Sequence, residues 1–221
     1  MLTQPLAGHA AAVWAPEVDP SWHRAATAVA LVRAALAELR ARGFQIAQAL
    51  LDESSPPRGA SDLAAGGMPR VTELVYLDRP TSVPLELAPD LPALDWESFG
   101  PSTERGFREV LQATYIDSLD MPELEGIRSL DDVLASHGAA GRFVAERWRV
   151  ARVRGEPEAG AIVLLSEIPE RDAWEAAYLG LTPAARGRGI GRAVLAEALA
   201  LASEHVGTLE LAVDVRNRPA N

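Results

Sequence analysis

Apolar residues in the second half of the chain are spaced first as in strands, then as in a helix, then as in a strand again. Three apolar runs bounded by turn residues predict strands, at residues 148–153, 159–168 and 173–181. The next segment begins at Gly191, and its apolar residues over 194–201 recur every three or four positions, which predicts an amphipathic helix. Gly207 ends this helix, and residues 208–215 predict a further strand. The order is antiparallel hairpins followed by a strand–loop–helix–strand unit.

The first half of the chain predicts a smaller α/β lobe over residues 1–79. Asp19 and Pro20 are residue types favoured at a helix start, and apolar residues recur at helical spacing from Trp22 to the closing Gly43. A strand is predicted before this helix, at residues 10–14. After the helix, the pattern predicts a strand at 44–51, a short helix at 56–65 and another strand at 71–77.

Residues 80–92 form a Pro-rich segment that predicts an extended linker to a second domain over residues 93–221. The second domain is predicted to open with a strand at 94–99 and a helix that begins at Pro101. A second, short helix is predicted over 129–138, because Ser129 and Asp132 have the spacing of a capping box.

Glycines and arginines alternate between the last predicted hairpin strand and the amphipathic helix. The turn consists of Arg186, Gly187, Arg188, Gly189, Ile190, Gly191 and Arg192. Because glycine has no Cβ, the main-chain N–H groups of such a turn can approach an oxyanion closely. The following helix adds unpaired N–H groups and the positive end of its dipole, and arginine adds charge that does not titrate. The turn predicts a pyrophosphate-binding loop; the alternative is a Gly/Arg-rich surface turn.

Two common phosphate-binding motifs do not fit this turn. In a dinucleotide fingerprint the third glycine would fall on Arg192 or Val194, and a Gly-Lys-Ser/Thr sequence is absent. The turn matches Arg-x-x-Gly-x-Gly instead, through Arg186, Gly189 and Gly191. With the preceding Leu-Thr-Pro, this spacing resembles the acetyl-CoA loop of the GNAT N-acetyltransferase superfamily, and the resemblance extends from about residue 147 to the end of the chain.

The resemblance implies a fold, a cosubstrate and an activity. The implied fold class is α/β (α+β), with a mixed, largely antiparallel sheet flanked by helices, here preceded by the smaller lobe. The implied activity is acyl transfer from acetyl-CoA to a primary amine of a small acceptor, without a metal. The pantetheine arm of acetyl-CoA is expected to pair with the end of the strand before the turn. The residues implied to hold acetyl-CoA are Leu179, Gly180, Leu181, Arg186, Gly187, Arg188, Gly189, Ile190, Gly191, Arg192 and Asn217.

Glu175 is the predicted general base. It precedes Leu181 by six residues on one predicted strand, the position at which some histone-type members of the superfamily carry a glutamate base. Trp174 and Ala176 flank it, so partial desolvation is expected to raise its pKa. The alternative is a surface glutamate, or one paired with an arginine. Tyr178 is predicted to lie on the opposite face of the strand, in the core.

Polar residues that follow the first helix of the second domain are candidates for binding the acceptor. Tyr115 and Asp117, together with Asp120, are predicted to recognise a cationic group. The alternative is an ordinary turn at the end of a helix.

The element order of residues 1–79 resembles the second half of a GNAT domain. Such an arrangement is similar to that of tandem-GNAT acyltransferases such as mycothiol synthase. Residues 15–22 contain no glycine, and Glu17 and Asp19 place carboxylates where a phosphate would otherwise bind. The first lobe is therefore predicted not to bind CoA, and to be structural or to shape the substrate site.

Composition narrows the classes of partner. Among 221 residues, 31 are acidic and 21 are basic, and the net charge of −10 argues against a nucleic-acid partner and fits a cationic substrate. The absence of cysteine excludes disulfides and thiolate nucleophiles and fits a cytoplasmic location. The four histidines lack metal-ligand spacing, and no apolar run is long enough to span a membrane, so neither a metal nor a membrane partner is predicted.

The end of the sequence resembles an interrupted GNAT domain. In that superfamily a stretch like the one at Asn217 opens a helix that usually carries a tyrosine able to protonate the leaving thiolate, and two strands follow. We therefore expect the GNAT domain to be incomplete at Asn221 and the general acid to lie beyond it. Two other hypotheses remain open, a non-catalytic CoA-binding module and a structural lobe of a larger tandem protein.

Overall fold

The structure is a computed structural model, and it describes residues 1–83 and 90–220. Two compact units divide the chain: Met1–Val71 with Gly126–Ser136, and Thr72–Glu125 with His137–Asn221. Of the predicted linker over residues 80–92, the central part, 84–89, lies outside the described residues, as does Asn221.

The described residues form nine strands and five α-helices. In chain order these are β1 (Thr3–Leu6), β2 (Ala10–Val13), α1 (Arg24–Ala41), β3 (Ile46–Gln48), α2 (Gly59–Gly66), β4 (Leu74–Pro80), β5 (Leu94–Ser98), α3 (Glu104–Tyr115), α4 (Leu130–Gly138), β6 (Trp148–Val153), β7 (Ala161–Ile168), β8 (Ala173–Leu181), α5 (Ile190–Ser203) and β9 (Thr208–Asp214).

The first unit contains a three-stranded sheet in the order β1-β2-β3, with β1 antiparallel and β3 parallel to β2. The helix α1 connects the parallel strands and buries Val32, Leu36 and Leu39 in the core of this unit. The helix α2 packs closely on α1, because a Cβ added at Gly66 would lie 2.4 Å from the Cβ of Val32.

The segment Gly126–Ser136 belongs to this first unit, although it lies within the predicted second domain. His9 Nδ1 lies 2.6 Å from the carboxylate of Asp132. The N–H of Asp132 donates to Ser129 Oγ at 3.1 Å, which is one half of the predicted capping box.

The second unit contains a six-stranded sheet in the order β4-β9-β8-β7-β6-β5. Only the β8–β9 pair of this sheet is parallel, so the predicted mixed, largely antiparallel sheet flanked by helices is confirmed. The helix α5 covers one face and buries Ile190, Val194 and Ala198 against it. The other face carries α3, whose Phe107 stacks on Trp148 of β6 with ring centroids 6.1 Å apart.

The strand β4 departs from the prediction, which placed it in the first lobe. It pairs antiparallel with β9 along seven residues, from Leu74 opposite Asp214 to Pro80 opposite Thr208. Alternating apolar residues predict a strand but do not identify its partner, because pairing depends on contacts more than 100 residues apart in sequence.

The start of α1 also differs from the prediction. The helix begins at Arg24, after His23, and not at Asp19 and Pro20. Trp22, predicted to lie on the apolar stripe, is 90% exposed, and its ring lies tilted beside that of His23. A second difference is β1, which the sequence pattern did not predict. No helix in the described part of the chain has the length and apolar character needed to cross a bilayer.

Candidate active site

The glycine turn between β8 and α5 is exposed, and its backbone adopts a conformation that favours glycine. Gly187 and Gly189 have φ angles of 72° and 77°, in the left-handed region, and both are exposed. A Cβ added at Gly187 would meet no atom within 4 Å. No acceptor within residues 1–83 and 90–220 takes a hydrogen bond from the N–H groups of residues 187–191. The turn therefore presents a row of unengaged donors.

The helix α5 strengthens this donor row. Gly189 is its N-cap residue and has no side chain to satisfy the N–H groups of the first turn. Its carbonyl accepts hydrogen bonds from the N–H groups of Arg192 and Ala193, at 3.1 and 3.2 Å. Ile190 is buried and anchors the start of the helix to the core. The exposed amides and the positive end of the helix dipole together favour an anion at this position.

The three arginines of the turn have different environments. Arg192 is exposed, and no carboxylate of the described residues pairs with it. Arg188 pairs with Glu156, in the turn between β6 and β7, and this pairing lowers the pKa of the glutamate. Of these two arginines, only Arg192 has no carboxylate partner in the described chain.

Arg186 is engaged by the protein itself, and its predicted role at the pyrophosphate stays a prediction. Its main-chain N–H donates to the carbonyl of Pro183 at 3.3 Å. Its guanidinium donates to the carbonyls of Leu181 (3.2 Å), Thr114 (3.2 Å), Ile116 (2.6 Å) and Asp117 (3.1 Å). The last three carbonyls lie in the last turn of α3 or directly after it, where carbonyls lack intrahelical donors, and they attract a cation.

The strands β8 and β9 separate just before the glycine turn. They pair in parallel only from Ala173 opposite Thr208 to Glu175 opposite Glu210. On its other side β8 stays paired with β7, and the N–H of Thr182 donates to Gly160 at 2.9 Å. Because main-chain groups alternate in direction along an antiparallel strand, those of Leu179 and Leu181 face the gap between β8 and β9. The gap leaves β8 with a strand edge at which an extended ligand can add hydrogen bonds.

A β-bulge lies in β8 beside this gap. The register with β7 shifts between Leu164 opposite Tyr178 and Leu165 opposite Ala176, so Ala177 is the extra residue. Before the bulge Trp174 and Ala176 face α5, and after it Leu179 and Leu181 do so. The bulge thus turns Tyr178 to the same face as Glu175, which is the face covered by α3. The prediction that these two side chains lie on opposite faces is wrong, because strict alternation does not hold across a bulge.

Glu175 is half-buried at the point where β8 and β9 separate. Burial raises the pKa of its carboxyl, nearby Arg171 opposes this shift, and the charge of Glu210 adds to it. The guanidinium of Arg171 is bonded to Glu210 at 2.7 Å, so it is committed to the other carboxylate. Glu175 is therefore a partly desolvated carboxyl group whose pKa lies above that of an exposed glutamate.

Tyr178 and the predicted acceptor residue Tyr115 belong to one cluster of rings. The hydroxyls of Tyr178 and Thr114 are hydrogen-bonded at 2.9 Å, and burial raises the pKa of Tyr178 to about 12. The Tyr115 hydroxyl lies 3.1 Å from His137 Nε2, and both rings lie within 5.2 Å of the Tyr178 ring, centroid to centroid. Asp117, with a φ of 52°, is exposed, and its carbonyl is bound by Arg186.

The end of β9 is held by a buried carboxylate. Asp214 has no exposed surface and accepts hydrogen bonds from the hydroxyl of Thr72 at 2.7 Å and from the guanidinium of Arg216 at 2.6 Å. Its N–H donates to Asp120 at 3.2 Å, and burial raises the pKa of the Asp120 carboxyl. Asn217, predicted to contact acetyl-CoA, lies in the turn that follows, and its N–H donates to the carbonyl of Asp214 at 2.9 Å.

Comparison with known proteins assigns this chain to a family. Residues 110–221, just over half of the chain, match the model of the family described as Acetyltransferase (GNAT) family. The chain belongs to the acetyltransferase (GNAT) family. The predicted membership is confirmed.

Solved structures share this GNAT fold over most of the chain. A GCN5-related N-acetyltransferase from Sphaerobacter thermophilus is 18% identical, with a TM-score of 0.64, over 98% of this chain and 67% of that one. The glucosamine N-acetyltransferase region of a fungal multi-domain GH3 beta-N-acetylglucosaminidase is 16% identical, with a TM-score of 0.56. The match covers 90% of this chain and 26% of that one. A tandem GNAT protein from the clavulanic acid biosynthesis pathway is 15% identical, with a TM-score of 0.50. The match covers 96% of this chain and 68% of that one.

These likenesses concern the fold alone. The chain spans about two thirds of the length of the first structure and about a quarter of the second. No curated protein matches it. The similarity to a tandem GNAT protein extends over nearly the whole chain, while the finer resemblance to mycothiol synthase stays a prediction.

Several residues of this GNAT site escaped sequence reasoning. His137 was one of four scattered histidines, yet it contacts Tyr115 and Tyr178. Thr114 was not a candidate, yet its hydroxyl bonds Tyr178. Asp214 carried no signal except its place at the end of a strand. No group of three or more His, Asp or Glu side chains in the described ranges is arranged to hold a metal ion.

Proposed function

We propose that this GNAT protein transfers the acetyl group of acetyl-CoA to a primary amine. The observation that carries the proposal is the exposed turn at the start of α5, whose five N–H groups, over residues 187–191, have no acceptor in the described chain. These donors, the helix dipole and Arg192 suit the pyrophosphate of CoA. The open edge of β8 at Leu179 and Leu181 suits the amide groups of the pantetheine arm.

The proposed reaction is direct attack. The amine nitrogen forms a bond to the thioester carbonyl carbon, the bond from that carbon to sulfur breaks, and the amine loses one proton. Glu175 accepts that proton, directly or through water, and the CoA thiolate takes up another. An N–H at the edge of β8 is suited to stabilise the carbonyl oxygen as charge builds on it. The thiolate can take that second proton from solvent.

A primary amine is the acceptor class that the charges favour. The net charge is −10, and the half-buried carboxyl groups of Glu175 and Asp120 lie on the α3 side of the sheet with the rings of Tyr115 and Tyr178. Carboxylates and aromatic faces both attract an ammonium group. The cytoplasm is the location we propose, because the chain contains no cysteine.

Two other functions compete with this proposal. A CoA-binding module without activity would have the same turn, and a structural lobe of a larger tandem protein would need neither the exposed donors nor the open strand edge. The position of Glu175, half-buried where β8 and β9 separate, favours the enzyme over the binding module, and burial also raises the pKa of this carboxyl.

Calorimetric titration with acetyl-CoA, followed by a thiol-release assay on a panel of amines, tests the three functions together. The enzyme is expected to bind and to turn over, the module to bind without turnover, and the lobe to do neither. In the variant Gly189→Trp the indole fills the anion site, and we expect the affinity for acetyl-CoA to fall at least about tenfold, the equivalent of one charge-assisted hydrogen bond.

The matched control for this variant is Gly43→Trp. Gly43 has a φ of 82°, close to the 77° of Gly189, but it lies in the first unit after α1. Its substitution imposes similar backbone strain and is expected to leave the affinity unchanged. Normal affinity in Gly189→Trp would show that the phosphate loop is misassigned.

A further inference from the structure

Arg186 spans two parts of the second unit with a single side chain. Its guanidinium is half-buried and donates to one carbonyl at the end of β8 and to three carbonyls in the last turn of α3 and directly after it. Its own main chain leads directly into Gly187, the first glycine of the phosphate loop. One residue thus connects the loop, the strand edge and the end of α3.

The end of α3 depends on these contacts because the chain reverses there. The helix ends at Tyr115, Ile116 has extended backbone, and Asp117 has a φ of 52°, unusual for a residue other than glycine. The N–H of Ser118 donates to the carbonyl of Tyr115 at 3.1 Å. The carbonyls of Thr114, Ile116 and Asp117 converge on Arg186 instead. A cation there also interacts favourably with the negative end of the helix dipole.

The turn held in this way carries one side of the proposed acceptor site. Tyr115 lies one residue before it and contacts both His137 and Tyr178. Asp120 follows within three residues of Asp117 and accepts a hydrogen bond from the main chain of β9. A displacement of the end of α3 would therefore move Tyr115 and Asp120 relative to Glu175 without altering the glycine turn.

We propose that Arg186 is a positioning residue, which fixes the end of α3, and with it the acceptor side of the site, against the phosphate loop. It does so through carbonyl groups and not by binding phosphate. The part of this proposal that concerns the acceptor rests on the proposed function; the part that concerns the order of α3 does not. Lysine could not fully replace Arg186, because an ammonium group has three donors and lacks the planar fork with which a guanidinium reaches four carbonyls.

Hydrogen exchange of the protein without ligand tests the structural part. We expect amides in the segment 112–121 to exchange about tenfold faster in Arg186→Gln than in the wild type, the effect of losing one charge-assisted hydrogen bond. Arg186→Lys should give a smaller increase. Arg105→Gln is the matched control, because Arg105 is exposed at the start of the same helix and pairs only with Glu109 among the described side chains. Unchanged exchange in Arg186→Gln, with the fold intact by circular dichroism, would overturn the proposal.

Binding and kinetics test the functional part. In Arg186→Gln the KM for the amine is expected to rise at least about fivefold while the affinity for acetyl-CoA changes less than about twofold, because the donors over 187–191 are retained. Arg192→Gln should show the opposite pattern, with weaker acetyl-CoA binding and unchanged exchange in α3. A tenfold loss of acetyl-CoA affinity in Arg186→Gln, without faster exchange, would show that Arg186 binds phosphate. If the wild type neither binds nor turns over acetyl-CoA, the proposed function fails, and the exchange experiment still decides the role of Arg186 in α3.

Discussion

At the scale of the residue, Glu175 is half-buried where β8 and β9 separate, and burial raises the pKa of its carboxyl. Its position before Leu181 was predictable from the resemblance to the GNAT superfamily, and its flanking residues, Trp174 and Ala176, are buried as expected. Its neighbours were not predictable. Glu210 reaches it only because β9 pairs with β8, and Tyr178 shares its face only because of a bulge. A single sequence shows neither the partner of a strand nor the position of a bulge.

The role of Glu175 can be tested through the pH dependence of the rate. Because its pKa is raised, the carboxyl stays protonated to a higher pH than an exposed glutamate, and kcat/KM should fall as the pH decreases through that pKa. In Glu175→Gln we expect kcat to drop by about 10²–10⁴-fold with little change in acetyl-CoA affinity, and the acid limb of the profile to disappear.

The adjacent carboxylate provides the control for this measurement. Glu210 lies opposite Glu175 in the register and is paired with Arg171. In Glu210→Gln the acid limb should persist and move to lower pH, because the removed negative charge had raised the pKa of Glu175 and the released Arg171 lowers it. An acid limb that persists unchanged in Glu175→Gln would identify another group as the base.

At the scale of the element, β4 completes the sheet beside β9. The N–H of Val215 donates to Glu73, and the N–H of Thr81 donates to Gly207, at 3.1 and 2.9 Å. Because hydrogen-bonded pairs alternate along an antiparallel ladder, Leu77 also points its main-chain groups at β9, whereas Tyr76 points them away. Pro80, like Tyr76, lies where main-chain groups point away from β9, so the N–H that proline lacks removes no hydrogen bond between the two strands.

Proline substitutions at these two neighbouring positions test the pairing. Leu77→Pro removes a donor to β9, and we expect it to lower the free energy of unfolding by about 1–3 kcal/mol and to speed hydrogen exchange along β9. Tyr76→Pro is the matched control, because both side chains are largely exposed and only the direction of the N–H differs. The free energies come from urea titration. Equal losses in the two variants would contradict the observed register.

At the scale of the whole molecule, long-range contacts account for most of what the sequence did not predict. The hairpins β6–β7 and β7–β8, the helix α5 and the capping box of α4 follow from local patterns, and the structure contains them. By contrast, β4 joins the sheet of the second unit, and Gly126–Ser136 joins the first unit, so the units do not follow the predicted boundary at residues 80–92. Arg186 is a similar case, since its carbonyl partners in α3 lie about 70 residues away in sequence.

The central claim is that the main-chain amides of the turn before α5 bind the pyrophosphate of acetyl-CoA. The most direct measurement is the shift of the amide resonances of Gly187, Gly189 and Gly191 in a ¹⁵N-labelled sample titrated with CoA and, separately, with pantetheine, which lacks the pyrophosphate. We expect CoA to produce the largest shifts in the protein at these three glycines, and pantetheine to leave them unchanged. Saturable CoA binding that leaves the three glycine resonances in place, or no binding at all, would contradict the account.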